Sequence, residues 1–294
     1  MVHAGPCVDD PPTRLRADKE VDMGGWNAMT FDGRDTILRV VKQESDQFFE
    51  MASAPDAWER PTACPEWQVR DVVGHLVDTT ESYFVGFDAA RGKGEASEAY
   101  GLPGMAARVN TQAVSLREVP QAELLERARG DYATFAGMLE DLNEQEWSGL
   151  VVPHFYMGPL PAFFYPAFQL MDYGVHSWDI RQGTGRAHGM SGEVADLLVP
   201  FMFVLWQSTA AVPEDAVPSE LGVRITTGAN AGDTIMRVSD GGLSYESGDL
   251  STVSTVIEFD PASFVLTAFG RCNAGTVRGD AAAAENFLNL FFRI

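Results

Sequence analysis

Apolar positions along this chain fall first into helical and later into strand-like periods. From Asp35 to about Met51, Ile37, Leu38, Val41, Phe48 and Phe49 recur at helical spacing, which predicts a first helix. A Pro-punctuated loop, Trp58 to Trp67, leads into a second helix from about Trp67 to Ala90. There Val69, Val73, Leu76, Val77, Phe84 and Phe87 make one apolar stripe. Gly101 to Gly104 break the chain before a third helical stretch, about Met105 to Arg117, and Pro120 suits the first turn of a fourth, running to about Leu142. A connector rich in Pro and aromatics, 152–161, precedes a helix whose run stops near Gly183-Thr184-Gly185. A further apolar helix is expected from about Gly192 to Thr209.

The character changes after the linker-like run Pro213 to Pro218. Segments 222–228, 233–239 and 252–259 are rich in Val, Ile and Thr and read as strands, with Gly-Gly and Gly-Asp turns between them. Asp260-Pro261 suits an N-cap and first helical residue, followed by a strand around 271–278 and a closing helix, about Asp280 to Phe292. The expected fold class is α plus α+β. An aperiodic, disordered tail (1–32) is followed by a helical region (33–212) and a small α+β region (219–294).

Three polar positions on these helices carry candidate chemistry. At about 100° per residue His75 lies off the apolar stripe of its helix, on a strip with Gln68, Asp71, Thr79 and Ser82. Asp172 and His176 are four residues apart and share a helix face with Tyr165, Gln169 and Asp179. Taken alone, each reads as a solvated face or a simple Asp–His pair. Taken together, two histidines and a carboxylate are a common protein share of a metal site with positions left open. Asp179 suits a hydrogen bond to a ligand histidine, or an ion pair with Arg181 or Arg186. His154 in the aromatic connector is a fourth ligand, a substrate contact or a packed loop residue. His3 and His188 are set aside, in the tail and in a loop. Arg271 fits either a clamp on a substrate carboxylate or a sheet-edge surface position.

Composition narrows the function classes. With 21 basic against 42 acidic residues the formal charge is -21, which disfavours nucleic acid and anionic membrane surfaces as partners. Cys7, Cys64 and Cys272 are far apart and form no CxxC pair, against a disulfide scaffold or a thiolate zinc site. No apolar run approaches a membrane span or a signal h-region, so a cytoplasmic location is expected. A GxSxG elbow, a Gly-rich phosphate loop and HExxH are absent from the sequence. Cys64, before Pro65 near a helix start, is either a nucleophile or loop packing.

Pro61-Thr62-Ala63-Cys64-Pro65-Glu66-Trp67-Gln68-Val69-Arg70-Asp71-Val72-Val73-Gly74-His75-Leu76 resembles the Trp-x-Val-x-Asp-x-x-x-His-Leu signature of the mycothiol-dependent maleylpyruvate isomerase family, whose fold is a DinB-like four-helix bundle. The run from Asp172 to Gly185, with His176-Ser177-Trp178-Asp179, resembles that family's second signature. The resemblance covers roughly residues 33–210, and Phe269-Gly270-Arg271 with Val277 to Asp280 is similar to the sterol-carrier-like domain often attached to such bundles. It implies a divalent metal, usually zinc, held by His75, Asp172 and His176, and mycothiol as a thiol cofactor. The family's isomerase pattern has Glu where this chain has the shorter Asp172.

The function expected is a metal-dependent, thiol-using isomerase or S-transferase acting on a small electrophilic or carboxylated molecule, with Arg271 as substrate clamp. Two other readings stay open: a thiol-independent metal enzyme that activates water or a carbonyl, and a non-catalytic small-molecule carrier.

Overall fold

The structure is a computed structural model that describes residues 29–96, 98–183, 189–239 and 241–291. Most of the expected disordered tail, with His3 and Cys7, lies outside these residues, as do Thr184, Gly185, Arg186, His188 and Phe292.

Four long helices form the N-terminal bundle: α1 (Arg34–Ala52), α2 (Val69–Ala90), α4 (Gln121–Glu140) and α6 (Phe164–Gly183). They pack α1 on α6 and α2 on α4, with α3 (Gly101–Ser115) laid along α2. The stripe read from the sequence is the buried face of α2, where Val69, Val73 and Val77 are fully enclosed. At its start Gln68 and Asp71 form a capping box, and the Asp71 carboxylate also accepts two hydrogen bonds from Arg117, at 2.6 and 2.8 Å. Gly74 is needed where α2 meets α3, because a Cβ there would lie 2.7 Å from the Ala113 carbonyl oxygen.

Three departures from the sequence expectation occur in this region. Gly101–Gly104 is the first turn of α3 rather than a break, since N–H groups of a first turn need no intrahelical partner. A short helix, α5 (Glu144–Gly149), is capped by Asn143 and Glu146 and was not anticipated. The connector 152–161 is a hairpin of β1 (Val151–His154) and β2 (Gly158–Pro161), turning at Gly158 with φ 79°. Pro153 faces Pro159, so both missing N–H groups fall at one level of the ladder.

α7 (Gly192–Thr209) joins the bundle to the C-terminal region, packing on α6 and α1 to one side and on β5 and α8 to the other. The C-terminal sheet has the order β5-β4-β3-β6-β7. Its strands are β3 (Ser219–Ile225), β4 (Gly232–Ser239), β5 (Gly242–Ser247), β6 (Val256–Phe259) and β7 (Thr276–Arg278), with β3 and β6 parallel and the other pairs antiparallel. β5 lies between the expected Gly-Gly and Gly-Asp turns, in a stretch where no strand was expected. Alternate residues of β4, Thr234, Met236 and Val238, are buried toward the helices, while Arg224 on the other face pairs with Asp233 and Glu258. α8 (Pro261–Ala268) starts at the Asp260 N-cap, and α9 (Ala281–Leu288) at Asp280. β7 is shorter than expected, which leaves Arg271 in the turn after α8. Among the described residues no helix is long and apolar enough to cross a membrane.

Candidate functional site

The polar strips of α2 and α6 face each other across the bundle and meet at a cavity of about 360 Å³. His75 comes from α2, and Asp172 and His176 from successive turns of α6. One nitrogen or oxygen of each lies within 4.8 Å of the others, with His75 Nε2 4.0 Å from Asp172 Oδ1. All three are largely enclosed, and the indole of Trp67 packs on both imidazoles at centroid distances of 5.4 and 6.1 Å. The strip containing His75 thus faces a cavity and not bulk solvent.

Partners behind the trio fix its imidazoles. His176 Nδ1 lies 2.9 Å from Asp179 Oδ2, and a carboxylate can only accept, so Nδ1 carries the proton and Nε2 keeps its lone pair. His75 Nδ1 lies 3.4 Å from the Thr79 hydroxyl, one turn on, with Nε2 turned toward Asp172. Burial, the neighbouring His176 and Arg271 hold His75 well below the usual histidine range, so it is neutral at pH 7 and able to act as a ligand. Burial pushes the Asp172 carboxyl up to about 8, as expected of an acid with no compensating charge beside it. Among the described residues no hydrogen bond reaches that carboxylate.

Two imidazole nitrogens and a carboxylate suit a divalent ion by donor chemistry. Donors about 2.0–2.1 Å from a tetrahedral ion stand roughly 3.3 Å apart, so closing this set needs side-chain movements of under about 1 Å. Asp172, held largely protonated near neutral pH by burial, would give up its proton to such an ion and so supply the compensating charge. The residues fit the group.

A second cluster, Cys64, His176 and Asp179, lies just behind. The Cys64 thiol donates to Asp179 Oδ2 at 3.1 Å, and burial, aided by the Asp179 charge, pushes it up to about 12. It is a thiol at neutral pH, which fits loop packing and not the nucleophile weighed from the sequence. Burial opposes ionisation of Asp179, but the hydrogen bonds from His176 and Arg271 prevail and hold it well below the usual carboxylate range. Arg186 lies outside the described residues, and among them Asp179 does not pair with Arg181. Arg271 takes it, with Nε 2.8 Å from Oδ1 and Nη2 2.9 Å from Oδ2. The side chain of Arg271 is 9% exposed, so it is no sheet-edge surface group, and the carboxylate it clamps in this structure is the protein's own.

His154 lines the cavity, and its Nδ1 accepts from the backbone N–H groups of Tyr156 and Met157 at 3.3 and 3.2 Å. That leaves its proton on Nε2 and neither nitrogen with a lone pair to give a metal. Burial lowers it to about 4. Tyr83 on the cavity wall was not singled out from the sequence; its place two turns beyond His75, through Thr79, was the available signal.

A four-helix bundle with a two-histidine, one-carboxylate set at an apolar cavity defines the class of this protein. Residues 38–181 match the family described as the mycothiol maleylpyruvate isomerase N-terminal domain, and this bundle belongs to that family. The solved structure of the mycothiol-dependent maleylpyruvate isomerase and that of a histidine-to-alanine mutant each superpose with a TM-score of 0.57 and 14% identity. Each superposition covers 84% of this chain and 94% of that one, a likeness of fold that extends beyond the bundle. A sequence search of curated proteins finds no match.

Proposed function

We propose that this protein is a metal-dependent enzyme that uses mycothiol to isomerise, or to transfer sulfur to, a small electrophilic or carboxylated molecule. The observation that carries the reading is the convergence of His75, Asp172 and His176 on the wall of one cavity. Membership of the bundle in the mycothiol maleylpyruvate isomerase family supports the choice of thiol. In this reading His75, Asp172 and His176 hold a divalent ion, with zinc the usual choice for such donors. When bound, the ion supplies a lowered pKa for a coordinated thiol or water, giving a nucleophile near neutral pH.

The chain's own residues do the remainder. Asp179 and Thr79 hold the two imidazoles with Nε2 inward. Arg271 keeps Asp179 ionised and in place, so His176 retains its orientation. The aromatic wall, including Phe155 and Phe168, keeps bulk water away from the reacting atoms. The C-terminal sheet as a sterol-carrier-like unit belongs to the same proposal, with Arg271 as its contribution to the site.

The test is metal content of the purified full-length protein, wild type and His176→Ala, with turnover measured with and without mycothiol. The expected result is close to one equivalent of divalent ion in the wild type, little in the variant, and turnover only with thiol. A wild type that stays metal-free after zinc or iron is supplied sinks the site. Turnover without thiol would favour a water- or carbonyl-activating enzyme, and ligand binding that survives His75→Ala without turnover in any form would favour a carrier.

A further inference from the structure

The walls of the cavity say what kind of electrophile fits it. A carboxylate that leaves water for a largely apolar cavity needs a fixed cation or a fork of donors in exchange. Among the described residues the only Lys or Arg on the wall is Arg271. Its three nitrogens already have acceptors: Asp179 for Nε and Nη2, at 2.8 and 2.9 Å, Cys64 Sγ for Nη2 at 3.3 Å, and the Phe269 carbonyl for Nη1 at 3.3 Å. His154 is neutral, and its Nδ1 is committed to backbone N–H groups. Glu66 and Asp172 on the wall are acids and offer no cation. An ion held by the trio has charge for one carboxylate at most, and that carboxylate would compete with the thiol for the same open position.

Most of the rest of the wall is hydrocarbon and sulfur. Phe155, Phe168, Met157, Met171 and Leu205 surround the space. Thr79, Asn110, His154, Tyr156 and Thr209 add polar atoms, none of them a fixed cation, and Tyr83 adds another. Tyr83 is 3% exposed and lines the same cavity as Asp172. Among the described residues its hydroxyl has no hydrogen-bond partner, although the ring is packed edge-on against Tyr165 at 5.0 Å. A hydroxyl on the cavity wall with no protein partner is open to a ligand, and a carbonyl oxygen in the cavity would accept its hydrogen bond.

We propose that the electrophile is an uncharged, largely apolar unsaturated carbonyl compound and not a small dicarboxylate. Its hydrocarbon body lies against Phe155, Phe168 and Met171, and its carbonyl oxygen accepts a hydrogen bond from the Tyr83 hydroxyl. The unsaturated carbonyl rests on the thiol-using reading above, since thiol addition needs such a group; the preference for an uncharged, apolar body rests on the cavity alone.

Calorimetric titration of the full-length protein, without mycothiol, with benzylideneacetone, cinnamate and maleate tests the idea. Cinnamate keeps the phenyl-propenyl frame and replaces the methyl ketone by a carboxylate. The ketone is expected to bind at least about tenfold tighter than cinnamate, with no measurable heat from maleate. Tyr83→Phe is expected to weaken the ketone about fivefold and to leave binding of prop-1-enylbenzene, which lacks the oxygen, unchanged. Cinnamate or maleate binding as tightly as the ketone overturns the proposal, as does the absence of ketone binding; an unchanged ketone affinity in Tyr83→Phe overturns the role of the hydroxyl. The two readings fail separately. A metal-loaded, mycothiol-dependent protein that prefers maleate loses only the substrate class, whereas a metal-free protein that prefers the ketone loses only the thiol-and-metal chemistry.

Discussion

Asp179 is the residue on which most of the site's polar atoms converge: it accepts from His176, from Cys64 and twice from Arg271 with no exposed surface of its own. Asp179→Asn keeps its shape and removes its charge, leaving an enclosed guanidinium without a counter-ion. The expected cost is about 3–5 kcal/mol of folding stability, with metal affinity falling roughly 10–100-fold. Urea unfolding and a zinc competition titration measure the two effects, and an unchanged midpoint would count against the network. Adding Arg271→Met should restore much of the stability and little of the affinity. His154 gives a prediction in pH. Its folded pKa, lowered by burial to about 4, lies below the ordinary value of about 6.5, so the unfolded chain binds the extra proton first. The stability that it contributes is fully present above about pH 6.5 and is lost as pH falls toward 4, by roughly 3 kcal/mol. His154→Gln should flatten that part of the stability–pH curve; a curve of the same slope would show that other groups cause it.

At the scale of elements, what could be read from the sequence depended on length and on where the partners lie. α1, α2, α6 and α7 have long apolar stripes, and their ends fall within about two residues of the periodic runs, the usual scatter of helix boundaries. β5 has only Leu243 and Tyr245 as apolar residues between glycines, and it is a strand because β4 pairs with it along its length. The hairpin is hidden by Pro153, Pro159 and Pro161, which ordinarily argue against strands. α5 was signalled by Asn143-x-x-Glu146, a capping box that is easily missed before so short a helix. Within the site, helical spacing placed Asp172 and His176 on one face and left a solvated pair open. The polar strip at His75 and the family resemblance joined the three, whereas Cys64 to Arg271 spans 207 positions and obeys no period. The close approach of α2 and α3 gives the prediction at this scale. Gly74→Ala places a methyl 2.7 Å from the Ala113 carbonyl oxygen, so the helices must separate, at an expected 1–3 kcal/mol, about the usual cost of overpacking. Because His75 is the next residue, metal affinity should fall with stability, and a stable variant with full affinity would contradict the packing argument.

Over the whole molecule the buried apolar residues of the bundle and of the C-terminal sheet form one continuous cluster, with α7 shared between them. Trp206 of α7 stacks on Phe291 at 4.4 Å and meets Phe264 edge-on, while Leu205 beside it lines the cavity. Heat unfolding followed by calorimetry should therefore show a single cooperative transition, with calorimetric and van't Hoff enthalpies in agreement. Two resolved transitions would mean that the shared helix does not couple the halves. The Arg271–Asp179 link adds a consequence in time. The guanidinium that satisfies Asp179 is synthesised 92 residues after it, beyond most of the C-terminal sheet. On the ribosome, a bundle that has already closed around His75, Asp172 and His176 still holds an enclosed acid without its counter-charge until that arginine emerges. The site is thus among the last parts of the nascent chain to mature, and a chain interrupted before that point carries the three donors without the order that makes them a site.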